Sequence, residues 1–239
     1  MEQTIDSLKK TARLAGLWYV IFGMTGAYGL MYVPGQILVP GDTVATATNI
    51  LANEFLFRTG IAGLLLSGIT FIIGALVFYQ LLKHVNEYYA KLMVAFVIVY
   101  TSITFILETF SITSLLILKG QVLKTLEPEQ QQNLVMIFIK IQGYGTSLLE
   151  VFMGLWLLPL GQLVYKSGFI PRIIGVLLLA AGAGYTIDSF AFVLFPQYTA
   201  FTKPLAFTFS GLVEGSIVLW LLIKGVKVQK TGKIQPTPQ

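Results

Sequence analysis

Cysteine is absent from the 239 residues, and histidine occurs once, as His84. The first absence excludes a disulfide framework, a thiolate nucleophile, an iron–sulfur cluster and a cysteine zinc site, and the second excludes a multi-histidine metal site. Charge is scarce too: 11% of the residues are Asp, Glu, Lys or Arg, against about 25% in soluble domains. With 55% hydrophobic residues, a water-soluble core could not hide the apolar surface of such a chain. Recognisable catalytic motifs are missing as well. Gly182-Ala183-Gly184 lacks the third glycine and the strand context of a dinucleotide loop, and neither a phosphate-binding P-loop nor a His-Glu-x-x-His helix occurs. Serines and threonines are plentiful, yet no histidine or lysine base lies within an apolar run to activate one of them. No cofactor or metal is implied, and the balance of evidence leans away from an enzyme.

What the chain does have is long apolar runs. Six of them can cross about 30 Å of hydrocarbon: Leu14 to Val33, Gly60 to Leu82, Leu92 to Leu118, Gly145 to Tyr165, Ile173 to Phe195 and Ala206 to Ile223. The expected fold class is therefore all-α, a polytopic membrane helix bundle of about six transmembrane helices. It forms one domain over residues 1–226, followed by a polar, disordered tail over 227–239. The first run reads as a helix rather than a signal peptide, since an h-region usually spans only about 7 to 15 residues. In the fourth, Gly143-Tyr144-Gly145 reads as a break that separates an outer helix from the span proper.

Orientation follows from the basic residues. Lys9, Lys10, Arg13, Lys83, Lys91, Lys166, Arg172, Lys224, Lys227, Lys230 and Lys233 fall on one side, and Arg58, Lys119, Lys124, Lys140 and Lys203 on the other. Eleven against five places both termini in the cytoplasm of a cell membrane protein. The net charge of +5 thus serves topology, and nucleic acid is not an expected partner. The expected partners are the lipid bilayer and a small-molecule or cation ligand, while nothing in the sequence sets an oligomeric state. His84, beside Lys83, reads as solvated or facing lipid headgroups. Tyr88, Tyr89, Tyr165 and Trp220 sit where aromatic interface anchors would.

Two connections on the far side from the termini carry helix signals. Asp42 is placed to cap a helix over residues 43–57, and Pro128 suits a first helical position. A weak repeat relates Arg13-x-x-Gly16-x6-Gly23 to Arg172-x-x-Gly175-x6-Gly182. It suggests a parallel duplication, although glycine is common in membrane helices and basic residues flank cytoplasmic ends in any case.

Several of these segments together resemble a known family. They are Ala12-Arg13-Leu14-Ala15-Gly16-Leu17, Val39-Pro40-Gly41-Asp42 leading to Asn49-Ile50-Leu51-Ala52 and Phe57-Arg58, and Tyr165-Lys166-Ser167-Gly168-Phe169-Ile170-Pro171-Arg172. Gly184-Tyr185 with Asp188-Ser189-Phe190 and Leu221-Leu222-Ile223-Lys224-Gly225 complete the set. The chain is similar to the bacterial domain-of-unknown-function family 4386. The resemblance implies a multi-pass membrane protein and no particular activity.

Four acids interrupt the apolar runs: Glu108, Glu150, Asp188 and Glu214. A charged side chain at mid-helix costs about 2.5 to 3.5 kcal/mol on insertion scales, so each must face protein or water. At a rise of 1.5 Å per residue from the nearest cytoplasmic basic residue, Glu108 lies at about 26 Å, Glu150 and Asp188 at about 24 Å and Glu214 at about 15 Å. The first three share a level. Thr101, Thr104, Glu108 and Ser111 follow helical spacing along one stripe. Gly143, Ser147, Glu150, Gly154 and Gly161 form a small-residue face, as do Gly60, Gly63, Ser67, Thr70 and Gly74, and such faces let helices approach. Candidate ligand- or ion-binding residues are Glu108, Glu150, Asp188, Glu214, Tyr185 and Thr104, with Arg58 or Lys140 as counter-ions. The functions left open are binding or transport of a small molecule or cation, a non-catalytic accessory role in which the acids serve packing, and an intramembrane carboxylate enzyme.

Overall fold

A computed structural model describes residues 5–226, so the expected tail and Lys227, Lys230 and Lys233 lie outside the described residues. All regular structure among them is helical: α1 (Ile5–Ala27), a π-helical turn (Tyr28–Tyr32), α2 (Val33–Ile37), α3 (Thr43–Ala52), α4 (Glu54–Leu82), α5 (Glu87–Leu118), α6 (Pro128–Ser167), α7 (Arg172–Leu194), a 3-10 turn (Pro196–Tyr198) and α8 (Thr199–Ile223). Six stretches are long and apolar enough to cross a membrane, with the first running continuously from Asp6 to Ile37.

The helix starts follow the sequence signals. Asp42 Oδ1 accepts the Ala45 amide at 2.8 Å at the start of α3, and Asn86 Oδ1 accepts the Tyr89 amide at 3.0 Å at the start of α5. Pro128 opens α6, where Glu127 and Gln130 form a reciprocal capping box. Three expectations need correction. The outer helix ends at Ala52, and Asn53 separates it from α4, so it does not run on to Phe57. The second span begins at Glu54, a turn and a half before Gly60. The Gly143-Tyr144-Gly145 sequence does not break α6, which is continuous over 40 residues. Glycine inside a helix costs about 1 kcal/mol relative to alanine, a preference that packing overrides where the small residue is used. Gly145 is used in this way: Leu107 of α5 occupies the space where its Cβ would be.

The π-turn has a local cause. Pro34 has no amide, and its ring collides with the carbonyl four residues back in a regular helix. Widening the turn relieves this, and the Val33 amide bonds the Tyr28 carbonyl five residues earlier.

The six spans form a closed ring in chain order, α1–α4–α5–α6–α7–α8, and α8 returns to α1. Both described ends therefore meet on one face, here the terminal face, where Gly225 lies against Lys9. The α3 segment covers the far face, in contact with α4, α5 and α6. Leu66, Ile106, Ile187, Leu212 and Leu219 point outward and are exposed, as a lipid-facing surface requires. At the terminal face Lys166 sits over the Tyr89 ring and Arg172 over Tyr165.

Small residues set the closest approaches. On α4, Gly63 lies against Tyr28, Ser67 Oγ donates to the Phe22 carbonyl at 3.1 Å, and Gly74 lies against Trp18, so this face meets α1 as expected. Between α6 and α7, Gly161 faces Gly175 and Gly154 faces Gly182 at backbone contact. The proposed repeat behaves unevenly. Gly16 and Gly175 each face the preceding helix of the ring, but Gly182 packs on α6 while Gly23 has nothing within 4 Å of its Cβ position.

Candidate functional site

The ring encloses a cavity of about 470 Å³ to which every one of the six spans contributes. Its wall is largely apolar, with Val20, Leu64, Leu107, Leu149 and Met153 among the contributors, and Glu108, Glu150 and Glu214 open onto it from α5, α6 and α8. That balance of apolar wall and few polar groups is usual for a small-molecule site.

Toward the terminal face, aromatic rings close the cavity. Tyr19 stacks on Phe22 at 5.5 Å, Phe22 on Phe71 at 4.1 Å, and Phe71 meets Trp156 edge to face at 5.0 Å. Tyr100 packs edge-on against Phe71 at 5.7 Å. Offset and edge-to-face pairs at these spacings each add about 0.5–1.5 kcal/mol beyond burial. Below this floor the core is solid, with Phe78, Leu81, Met93, Leu160, Leu178 and Leu221 fully enclosed.

Glu214 stands on that floor. The Tyr19 hydroxyl donates to its carboxylate, and Tyr185 of α7 faces the same group. Two phenols from opposite neighbours thus hold one carboxyl, and hydrogen bonds to charged groups are worth about 1.5–3 kcal/mol. Nearer the far face, Lys203 of α8 reaches α6. Its Nζ lies 3.3 Å from Glu150 Oε1 and donates to Ser147 Oγ at 2.7 Å. Asp188 is buried beside Glu150, and its Oδ1 makes no hydrogen bond within the described chain. It backs Glu150 and is not part of the cavity wall. Glu108 is also buried, and Gln142 Nε2 donates to its Oε1 at 3.2 Å. Thr104 lines the cavity one turn away and donates to the Tyr100 carbonyl at 2.9 Å.

Of the residues singled out from the sequence, Glu108, Glu150, Glu214, Tyr185 and Thr104 therefore meet at one cavity, with Asp188 one layer behind. Arg58 does not join them. It is exposed and bonds Glu54 at 2.8 Å, and Lys119 bonds that carboxylate too, which ties the start of α4 to the end of α5. Lys140 is likewise exposed. The cation beside Glu150 is Lys203, which the sequence reading counted only as a topological charge. Its position could have been found, because Lys203, Phe207, Gly211 and Glu214 follow i, i+4, i+8, i+11, one helical stripe. Tyr19 and Gln142 were missed as well, since nothing in their spacing sets them apart from ordinary span residues, whereas Ser147 was placed on the Glu150 face but only as a packing residue. Among the described residues, no group of three or more His, Asp or Glu side chains is arranged to hold a metal ion.

No solved structure matches the chain. An uncharacterized protein of Archaeoglobus fulgidus is similar to it, at 36% identity over 81 residues. The similarity covers 34% of this chain and spans 46% of that relative's length. The domain of unknown function DUF4386 matches residues 14–225, nearly the whole described bundle, and the chain belongs to that family.

Proposed function

We propose that this protein binds, and as a transporter would carry, a small molecule or cation in the central cavity, within a cell membrane whose cytoplasmic side is the terminal face. One observation carries the reading: a cavity of about 470 Å³, walled by all six spans, exposes three carboxylates on a largely apolar surface. Carboxylates placed at such depth are costly, and beyond the single bond each makes to a neighbouring helix these three face the cavity. The small-residue faces support the same view. They are occupied by neighbours within the chain, α4 on α1 and α6 on α7, so they do not call for a partner protein as the accessory reading would. The basic side chains of the terminal face supply the orientation.

The test is binding of a panel of small cations and amines to the purified protein, followed by thermal unfolding. A ligand at 100 times its Kd should add about 2.7 kcal/mol of stability, and the gain should shrink in Glu214→Gln and Glu150→Gln. Stabilisation by no member of the panel, or an equal gain in both variants, would count against the cavity. Orientation is tested in the cysteine-free background. A cysteine at Thr48 should react with an impermeant reagent in intact cells and one at Lys10 should not.

A further inference from the structure

The ring is not equally closed at every seam. Near the terminal face α1 and α8 touch, with Gly16 against Leu221 and Leu222, and Tyr19 bonded to Glu214. Beyond that level the contact stops. A Cβ at Gly23 of α1 or at Gly211 of α8 would meet no atom within 4 Å, and both glycines line the cavity. Met24 and Phe207, cavity-lining neighbours on the two helices, are 68% and 48% exposed. Gly23 follows Arg13 by ten residues and Gly211 precedes Lys224 by thirteen, which places the gap about 15–20 Å from the terminal face. At that depth the surrounding medium is acyl chain, since the hydrocarbon core is about 30 Å thick.

We infer that the gap between α1 and α8 is a lateral entrance from the bilayer, and that the ligand is an amphiphile with one ammonium group on an apolar chain. This rests on the cavity being a binding site and specifies what it takes and by which route. Three features agree on the ligand class. The route passes through lipid, so the ligand must partition there. Apart from its carboxyls and hydroxyls the cavity wall is apolar, with Val20, Leu30, Leu64, Leu107 and Met153 on it, which suits a chain. The polar groups carry an excess of acid: Glu108, Glu150 and Glu214 line the cavity and Asp188 stands behind, against Lys203 as the cation at Glu150. Glu214, held by two tyrosines just inside the gap, is the group that receives the ammonium. The π-turn places Leu30 and Met31 on the cavity wall beside the same gap, and interruptions of this kind recur at functional sites.

The experiment uses the full chain in lipid nanodiscs with dodecylamine as probe, dodecanoate as the same chain with opposite charge, and butylamine as the same head group without the chain. Dodecylamine should bind saturably and the other two at least tenfold more weakly, with Glu214→Gln costing at least tenfold in affinity. Filling the gap with Gly23→Trp or Gly211→Trp should slow dodecylamine association at least tenfold, and Phe207→Ala, which widens it, should speed association. If dodecylamine binds and depends on Glu214 but none of the three gap variants changes its rate, the lateral entrance is wrong while the cavity reading stands. If butylamine binds as well as dodecylamine, or dodecanoate does, the ligand class is wrong while the cavity reading stands. If no amine binds and no small cation stabilises the protein, both readings fail. The same ammonium could come from a membrane lipid. Phosphatidylethanolamine retained by the wild type through delipidation and lost from Glu214→Gln would identify the lipid as its source, and binding of dodecylamine with no retained lipid would identify a free amine.

Discussion

Cut across at the level of Tyr19 and Trp156, the bundle divides into two halves built in opposite ways. Toward the terminal face, paired glycines bring backbones together and large side chains fill the remainder. Beyond that level the same helices stand around open space with polar groups on their inner sides, until a small apolar cluster of Val33, Ile37, Ile50, Leu115, Ile117 and Val135 packs under α3 at the far face. Glycine serves both halves. Opposed in register, as Gly161 with Gly175, it closes a seam, and unopposed, as Gly23, it leaves one open.

The strongest test of this division is Trp156→Ala. The indole is fully buried in the aromatic floor, so its loss should cost about 3–5 kcal/mol, whereas Met24→Ala at the open seam should stay within about 0.5 kcal/mol. Thermal unfolding in one detergent compares them directly, and equal losses would mean that no solid half exists. Next come the glycines of the partial repeat. A Cβ at Gly182, the counterpart of Gly23, would lie 2.9 Å from the Gly154 carbonyl and 3.1 Å from the Leu158 side chain, so Gly182→Ala should cost about 1–3 kcal/mol. Gly23→Ala meets nothing and should be neutral or stabilise by up to about 1 kcal/mol through helix propensity. Equal behaviour of the two would restore the repeat as a structural duplication.

The ion pair of the open half should matter less. Lys203 is two-fifths exposed, so Lys203→Met should cost about 1 kcal/mol, and adding Glu150→Gln should recover most of it. A double-mutant cycle measures the coupling, and a value of zero would remove Lys203 from the site. The smallest expected effect lies at the terminal face. One face of the His84 ring rests on Phe169 at 5.8 Å, and that burial holds its pKa below the ordinary imidazole value. As pH falls through about 6.5, the unfolded chain takes up the proton first. The stability this contact lends is therefore present above that pH and declines below it. Unfolding midpoints at several pH values should show the decline in the wild type and a shallower one in His84→Phe.

Run length and caps made the spans legible, because hydrophobic thickness fixes a helix before any neighbour is known. Depth was legible in part: Glu150 and Asp188 do lie side by side, but Glu108 sits farther out, opposite Gln142 and next to the Leu107–Gly145 contact, so the single level expected for all three does not hold. Azimuth was the weaker part. Arg58 and Lys140 end at the right height but point elsewhere, and only packing shows which way a helix is turned. The continuity of α6 escaped for the same reason: Gly145, which looks like part of a break, is where Leu107 packs, while Gly143 meets no neighbour.

The hydrogen bond from Tyr19 to Glu214 joins residues 195 positions apart, and so bears on the order of biosynthesis. Tyr19 leaves the ribosome with the first span, and its acceptor arrives with the last. Until then the ring stands open at the place where it later closes, and the first helix is held by α4 alone. Closure of the ring thus waits for α8, the last of the six spans to be made, to meet α1, the first.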